Sequence, residues 1–243
     1  MAIKQKMNIA CVISGGKDGF FAYNELNKLE SYNVKTFLNL YVNKNEVSFH
    51  QYRKQLVAMQ AKAIGIPLIQ KEVARQYENQ ELFKSQLTQI ILNLKDSGIE
   101  GVCFGYILAG DCQDLLLRQI CKEVGIKLIL PNYKKKSSLV LEGIVNSGIK
   151  SIVTSVDPKK LPDIWLGREI NEEFILKIGK IKEVDPCGDA GEYHSFVLDA
   201  PFFLKRLKLK RGGMKIFETK TFLLGEAFIQ RNISLDEIML VDK

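Results

Sequence analysis

The chain has 243 residues, 46% of them apolar, with a formal charge of +7. That is enough apolar material for one large domain or two modest ones; no apolar run reaches the ~20 residues of a membrane span, and the N-terminal Met-Ala-Ile-Lys-Gln-Lys leads into too short a run for a signal-peptide core. The cysteines (Cys11, Cys103, Cys112, Cys121, Cys187) are odd in number and dispersed without a Cys-x-x-Cys pair, and His50 and His194 are the only histidines, so the chain reads as a cytoplasmic protein with reduced thiols, without a disulfide framework or structural zinc.

In chain order, the first element is a short apolar strand, Asn8–Ile13, that runs into Ser14-Gly-Gly-Lys-Asp18 and the first turn of an amphipathic helix. Glycines at a strand-to-helix turn let the backbone approach a ligand, the free amides point at it, and the helix dipole favours negative charge. Lys17 adds a mobile cation. The spacing is that of neither a Walker A loop nor a dinucleotide fingerprint, so an anion site and a plain tight turn both remain open at this point. Further apolar runs predict strands at Val34–Leu40, Pro67–Glu72, Gly101–Gly105, Lys127–Leu130 and Lys150–Thr154, as expected of parallel strands covered on both faces. Between them, Tyr52, Leu56, Met59 and Ala63, then Phe83, Leu87, Ile90 and Leu94, then Leu117, Ile120, Cys121 and Val124 fall on helical stripes. The alternation predicts an α/β fold, a doubly wound parallel sheet over residues 1–155. Its ligands would sit at carboxyl-end loops such as Ser14–Gly19, Gly105–Asp111 and Pro131–Lys136.

After residue 155 the texture changes to a smaller α+β domain, 156–243. A helix is expected from Asn171 to Lys180, followed by strands at Ser195–Leu198, Phe203–Leu209, Lys215–Thr221 and Phe222–Gln230, with Arg211-Gly212-Gly213 as a hairpin turn. The basic stretch Lys205, Arg206, Lys208, Lys210, Arg211 alternates with Leu207 and Leu209, as a half-exposed strand would. The positive charge is therefore read as a lysine-rich solvated surface, and nucleic acid is not an expected partner. Two segments carry chemistry. Trp165-Leu-Gly-Arg168 offers a packing anchor and a guanidinium able to clamp a carboxylate or phosphate. Asp185-Pro-Cys-Gly-Asp-Ala-Gly-Glu-Tyr-His-Ser-Phe-Val197 reads either as turn chemistry or as a substrate pocket. In it Glu192 and His194 share one face of an extended chain, opposite Tyr193, and a carboxylate beside an imidazole can position an amine and move its proton. Cys187 with His194 as a nucleophile or metal pair finds no further ligands at the usual spacings.

These residues resemble a known family. Ser14-Gly-Gly-Lys-Asp18 is similar to the PP-loop of the ATP pyrophosphatases. Phe104-Gly-Tyr-Ile107, Trp165-Leu-Gly-Arg168 and the Cys187–Ser195 segment resemble the diphthine–ammonia ligase branch, in the same order over roughly residues 8–205. The resemblance implies an adenine nucleotide α-hydrolase-like fold and cleavage of ATP to AMP and pyrophosphate. A carboxylate is adenylated, and ammonia then displaces AMP. It implies that Ser14, Gly15, Gly16, Lys17, Asp18 and Gly19 hold the pyrophosphate end of ATP, with Leu40 and Gly105 facing the adenosine. Trp165, Arg168, Gly188, Gly191, Glu192, Tyr193, His194 and Ser195 would line the acceptor pocket. Lys17, Glu192 and His194 would be catalytic. ATP and Mg2+ are the implied cofactors, without a metal-ligand set, and the implied partners are ammonia and a carboxylate such as diphthine on an elongation factor, with a homodimer as a possible assembly. The chain departs from the family pattern with Gly19 for serine, Tyr106 for aspartate and Pro131-Asn132-Tyr133 for Pro-Leu-Trp. These differences leave a non-catalytic ATP- or AMP-binding protein as one alternative; a PP-loop tRNA-modifying enzyme, which the net charge allows, is the other.

Overall fold

The computed structural model describes residues 5–42, 47–48, 54–76, 78–107, 112–209, 215–223, 226–235 and 238–243. His50, Tyr52, Lys210, the Arg211–Gly213 turn and residues 108–111 of the second carboxyl-end loop lie outside them. The chain forms two compact units. The first runs to Lys134, except that residues 15–17 and 63–65 belong with the second, Lys135–Lys243.

The first unit alternates as its apolar runs predict: β1 (Met7–Val12), α1 (Lys17–Asn27), β2 (Tyr32–Val42), the two-residue β3 (Val47–Ser48), α2 (Lys54–Ile64), β4 (Leu68–Glu72), α3 (Gln80–Asp96), β5 (Gly101–Cys103), α4 (Cys112–Val124) and β6 (Lys127–Ile129). The strands β4-β2-β1-β5-β6 pair in parallel, and β3 folds back antiparallel on the end of β2. Adjacent residues of β2 show how the sheet is covered. Phe37 meets the rings of Phe20 and Tyr23 on α1 at 6.0 and 5.1 Å, edge to face. Its neighbour Leu38 is buried with Leu87, Ile90 and Ile91 of α3 and Leu117 and Ile120 of α4. Successive strand residues point to opposite faces, so α1 lies on one face and α3 and α4 on the other, as in a doubly wound sheet. The chain reverses its direction across the sheet between β1 and β5, and in open α/β sheets ligands bind at the carboxyl ends of that switch point.

The second unit contains α5 (Ser137–Asn146), β7 (Lys150–Val156), a 3-10 turn (Asp163–Trp165), α6 (Glu172–Ile178), β8 (Tyr193–Asp199), β9 (Lys205–Leu209), β10 (Ile216–Leu223), β11 (Glu226–Ile233) and β12 (Ile238–Asp242). The expected helix start holds: the Asn171 side chain caps α6 by accepting from Phe174 N at 3.0 Å. One strand is corrected. Lys150–Thr154, expected among the parallel strands, lies in an antiparallel sheet of order β10-β11-β7-β8. From Ser151 onward its residues are buried on both faces, and such a run has the same texture in either kind of sheet. The break expected between Thr221 and Phe222 falls after Leu223, and β12 pairs with β9 in a separate ribbon.

Candidate active site

In the first unit the end of β1 is held from below. Ile13 N donates to Leu38 O at 2.9 Å. Ile13 O accepts from the side chain of Asn39, which is fully buried in mid-strand. The Asn39 side-chain oxygen Oδ1 accepts from Gln70 Nε2, which also donates to Lys54 O. A buried amide in a strand is costly unless its groups are bonded. Here the bonds fix the point where strand becomes loop at Ser14, and neither residue stood out in the sequence. Gly105, at the exit of β5, is fixed by proximity: an added Cβ would come within 2.6 Å of the Asp18 carbonyl carbon and 2.7 Å of Gly19 N. Only glycine lets this loop reach the first turn of α1. Gly19 is close to its own strand in turn, its notional Cβ standing 3.2 Å from Val12 O. Leu40 is a buried core residue beside Leu38 and Val42. Directly beneath, Cys11 and Cys103 are partners on β1 and β5. A hydrogen bond with Cys11 and then burial push the Cys103 thiol well up, so it stays a thiol and not a nucleophile.

In the second unit, Gly15–Lys17 sit against β8. Val197 N donates to Gly15 O at 3.0 Å, and Lys17 N donates to Ser195 Oγ at 3.2 Å. The Lys17 side chain is 2% exposed. Its Nζ donates to Cys187 O at 2.6 Å and stands 5.0 Å from the centre of the Tyr193 ring, a cation–π contact strengthened by burial. Tyr193 is placed by its hydroxyl, which donates to Pro186 O, and by Gly188. Gly188 has φ +72°, and a Cβ there would lie 2.7 Å from the Tyr193 ring. Asp185 shapes the turn: its Oδ1 accepts from Cys187 N, Asp189 N and Ser137 Oγ, and Gly191 N closes onto Gly188 O. The Cys187 thiol is buried against Ser137 O, which leaves it a structural part of the turn.

The aromatic rings link the motifs. Tyr193 meets Phe174 of α6 at 5.4 Å, Phe174 meets Trp165 at 5.2 Å, and the Arg168 guanidinium lies 5.5 Å above the Trp165 ring. The Trp165–Arg168 turn docks on β7 through Gly167 N to Val153 O and Val153 N to Arg168 O. Lys17, the Trp165–Arg168 turn and Tyr193, from three separate segments, thus form one stack. Phe174, its middle member, was missed because a phenylalanine on an amphipathic helix carries no signal beyond burial.

Glu192 and His194 are placed differently. Glu192 is 1% exposed; its Oε1 accepts from Lys160 Nζ and Asp185 N, both at 3.1 Å. His194 lies between Tyr193 and Ser195 on β8, so it projects to the face opposite Lys17. There its Nε2 is 2.9 Å from the amide nitrogen of Gln230 on β11. The structure brings Lys17, Tyr193 and Ser195 together. It gives Glu192 and His194 separate partners.

Two profiles match the chain: the diphthamide synthase N-terminal domain over residues 7–128 and the diphthamide synthase C-terminal domain over residues 136–231. The chain belongs to the diphthamide synthase family. As a member it is a ligase of the PP-loop type, and the family's chemistry uses ATP. It is 28% identical over 237 residues to the diphthine–ammonia ligase of Rattus norvegicus, covering 89% of this chain and 88% of that protein. It is 28% identical over 222 residues to the enzyme of the same name in Schizosaccharomyces pombe, covering 84% of this chain and 36% of that longer protein. Among solved structures, a predicted subunit of tRNA methyltransferase from Methanocaldococcus jannaschii superposes with TM-score 0.46 at 15% identity, covering 80% of this chain and 97% of that one. Among the described residues no helix is long and apolar enough to cross a membrane.

Proposed function

We propose that this diphthamide synthase family member is an AMP-forming amide ligase whose acceptor is a carboxylate, diphthine on an elongation factor. In this reading the carboxylate oxygen attacks the α-phosphorus of ATP and pyrophosphate leaves. Ammonia then attacks the acyl carbon of the adenylate and AMP leaves. The observation that carries the reading is the attachment of Gly15–Lys17 to Ser195, Cys187 and Tyr193. It ties the loop expected to hold phosphate to the segment expected to hold the acceptor. The chain's part is electrostatic. Amides of Ser14–Gly19 at the start of α1 would face the phosphates, and the Lys17 charge, desolvated and fixed, would oppose the charge that develops on the leaving pyrophosphate. Trp165, Arg168, Gly188, Gly191, Tyr193 and Ser195 would shape the acceptor side, with Leu40 and Gly105 near the adenosine.

Magnesium is expected with ATP, but among the described residues no three His, Cys, Asp or Glu side chains gather to hold a metal ion. A nucleotide-binding protein without turnover is the second reading. It is favoured by the Lys17 ammonium, which is already bonded to Cys187 O. The test is to incubate the protein with ATP, ammonium and diphthine-bearing elongation factor and weigh the factor. Replacement of one acceptor OH by NH2, with AMP formed in equal amount, is the expected result. Nucleotide binding with an unchanged factor would instead support the second reading.

A further inference from the structure

The Lys17 ammonium is set by a backbone carbonyl, that of Cys187 at 2.6 Å. A carbonyl is only as well placed as the turn that carries it, and the turn 185–189 has its own brace. Asp185 Oδ1 accepts from Cys187 N at 2.8 Å, from Asp189 N at 3.2 Å and from Ser137 Oγ at 2.6 Å. Ser137 Oγ accepts in turn from Cys187 N at 3.2 Å, and Cys187 Sγ donates to Ser137 O. Gly188 N donates to Asp185 O at 2.8 Å. That N–H belongs to the same peptide unit as the Cys187 carbonyl, so its bond and the bond from Lys17 polarise one group in the same sense. The turn also places the ring beside Lys17. Pro186 O accepts from the Tyr193 hydroxyl at 2.7 Å, and the ring centre lies 5.0 Å from Lys17 Nζ. Asp185 is itself held at its backbone, where its N–H donates to Glu192 Oε1 at 3.1 Å, and Glu192 is paired with Lys160. The carbonyl and the ring that meet the ammonium therefore both depend on a turn gathered by one carboxylate.

We propose that Asp185, assisted by Ser137, is the positioning residue for Lys17, acting through the Cys187 carbonyl and the Tyr193 ring. The assignment rests on the reading of Lys17 as the group that faces phosphate, and a double-mutant cycle tests the two apart. AMP formation at saturating ATP is compared in the wild type, Asp185→Ala, Lys17→Ala and the double variant, each in protein that remains folded. Asp185→Ala should lower kcat about tenfold, as for loss of hydrogen bonds to a charged group. In the Lys17→Ala background the same change should cost less than about twofold, because a residue that acts through another has nothing left to act on. Asp185→Asn keeps an acceptor oxygen in place and should recover most of the loss. A residue that only held the fold would lower the melting temperature and leave kcat of the folded protein unchanged. If Asp185→Ala does not fold, Ser137→Ala removes one arm of the brace and should show the same pattern at about threefold. In a protein that binds ATP without turning it over, the same cycle is read in the dissociation constant for ATP. Equal losses in both backgrounds, an unchanged kcat in folded Asp185→Ala, or an Asp185→Asn variant as poor as Asp185→Ala would overturn the positioning role. Lys17→Ala with wild-type rate and ATP affinity would instead overturn the reading of Lys17, and with it the route by which Asp185 acts.

Discussion

In the first unit the side chains hidden between sheet and helices are mostly apolar, from Ile9 and Phe37 to Leu87 and Ile120. The second hides Lys17, Ser155, Asp157, Glu192, Ser195 and Gln230 among its aromatics. Apolar burial is the less specific of the two. It stabilises through area removed from water and tolerates volume-conserving exchange. Buried polar groups must each find a partner, so they fix geometry closely and lose much when one partner goes. Substitutions in the two units should therefore separate stability from chemistry.

The largest effect is expected at Lys17. Lys17→Ala should lower AMP formation by about a hundredfold or more, in line with loss of a preorganised charge. Because the substitution also leaves Cys187 O without its buried donor, the melting temperature should fall too, so the rate is compared in protein that remains folded; turnover near the wild-type rate would show that the loop is misassigned. Leu87→Ala is the opposite case. It should destabilise the fold by about 2–5 kcal/mol in chemical denaturation while leaving the KM for ATP unchanged in the protein that remains folded. Gly105→Ala should cost about 1–3 kcal/mol, because the new methyl group has no room beside Asp18 and Gly19 and backbone must move. It should also weaken ATP binding measured by calorimetry, and a variant that binds normally would place the nucleotide elsewhere.

The smallest effect is on pH dependence. Burial pushes Cys121 up to about 11, and burial with the nearby Cys11 pushes Tyr23 up to about 12. Between their unfolded values and these, the folded chain holds protons that the unfolded chain has lost. This stability is complete below about pH 8.5–10, where the groups titrate when unfolded, and is lost as pH rises toward their folded values. The melting temperature should fall above about pH 9, and Cys121→Ala should flatten the first part of that fall.

The parallel strands of the first unit were readable because each is an apolar run between helical stripes. β7 was readable as a strand but not by its partners, since burial on both faces erases the alternation that marks an antiparallel strand. The strand-to-helix turn between β1 and α1 was legible because an apolar run ends there in a glycine pair. Its main anchor was not. The Cys187 carbonyl that accepts the Lys17 hydrogen bond is 170 residues away, and a backbone oxygen has no residue signature. Glu192 and His194 were expected to act as a pair, and the structure gives them separate partners, Lys160 and Gln230, from segments that the local sequence does not reveal.

The most direct test of the account is the identity of the phosphate products when ATP, ammonium and the carboxylate acceptor are present together. AMP and pyrophosphate in equal amounts, appearing only with all three and suppressed in Lys17→Ala, are the predicted result. ADP with inorganic phosphate, or AMP formed equally well by Lys17→Ala, would contradict it.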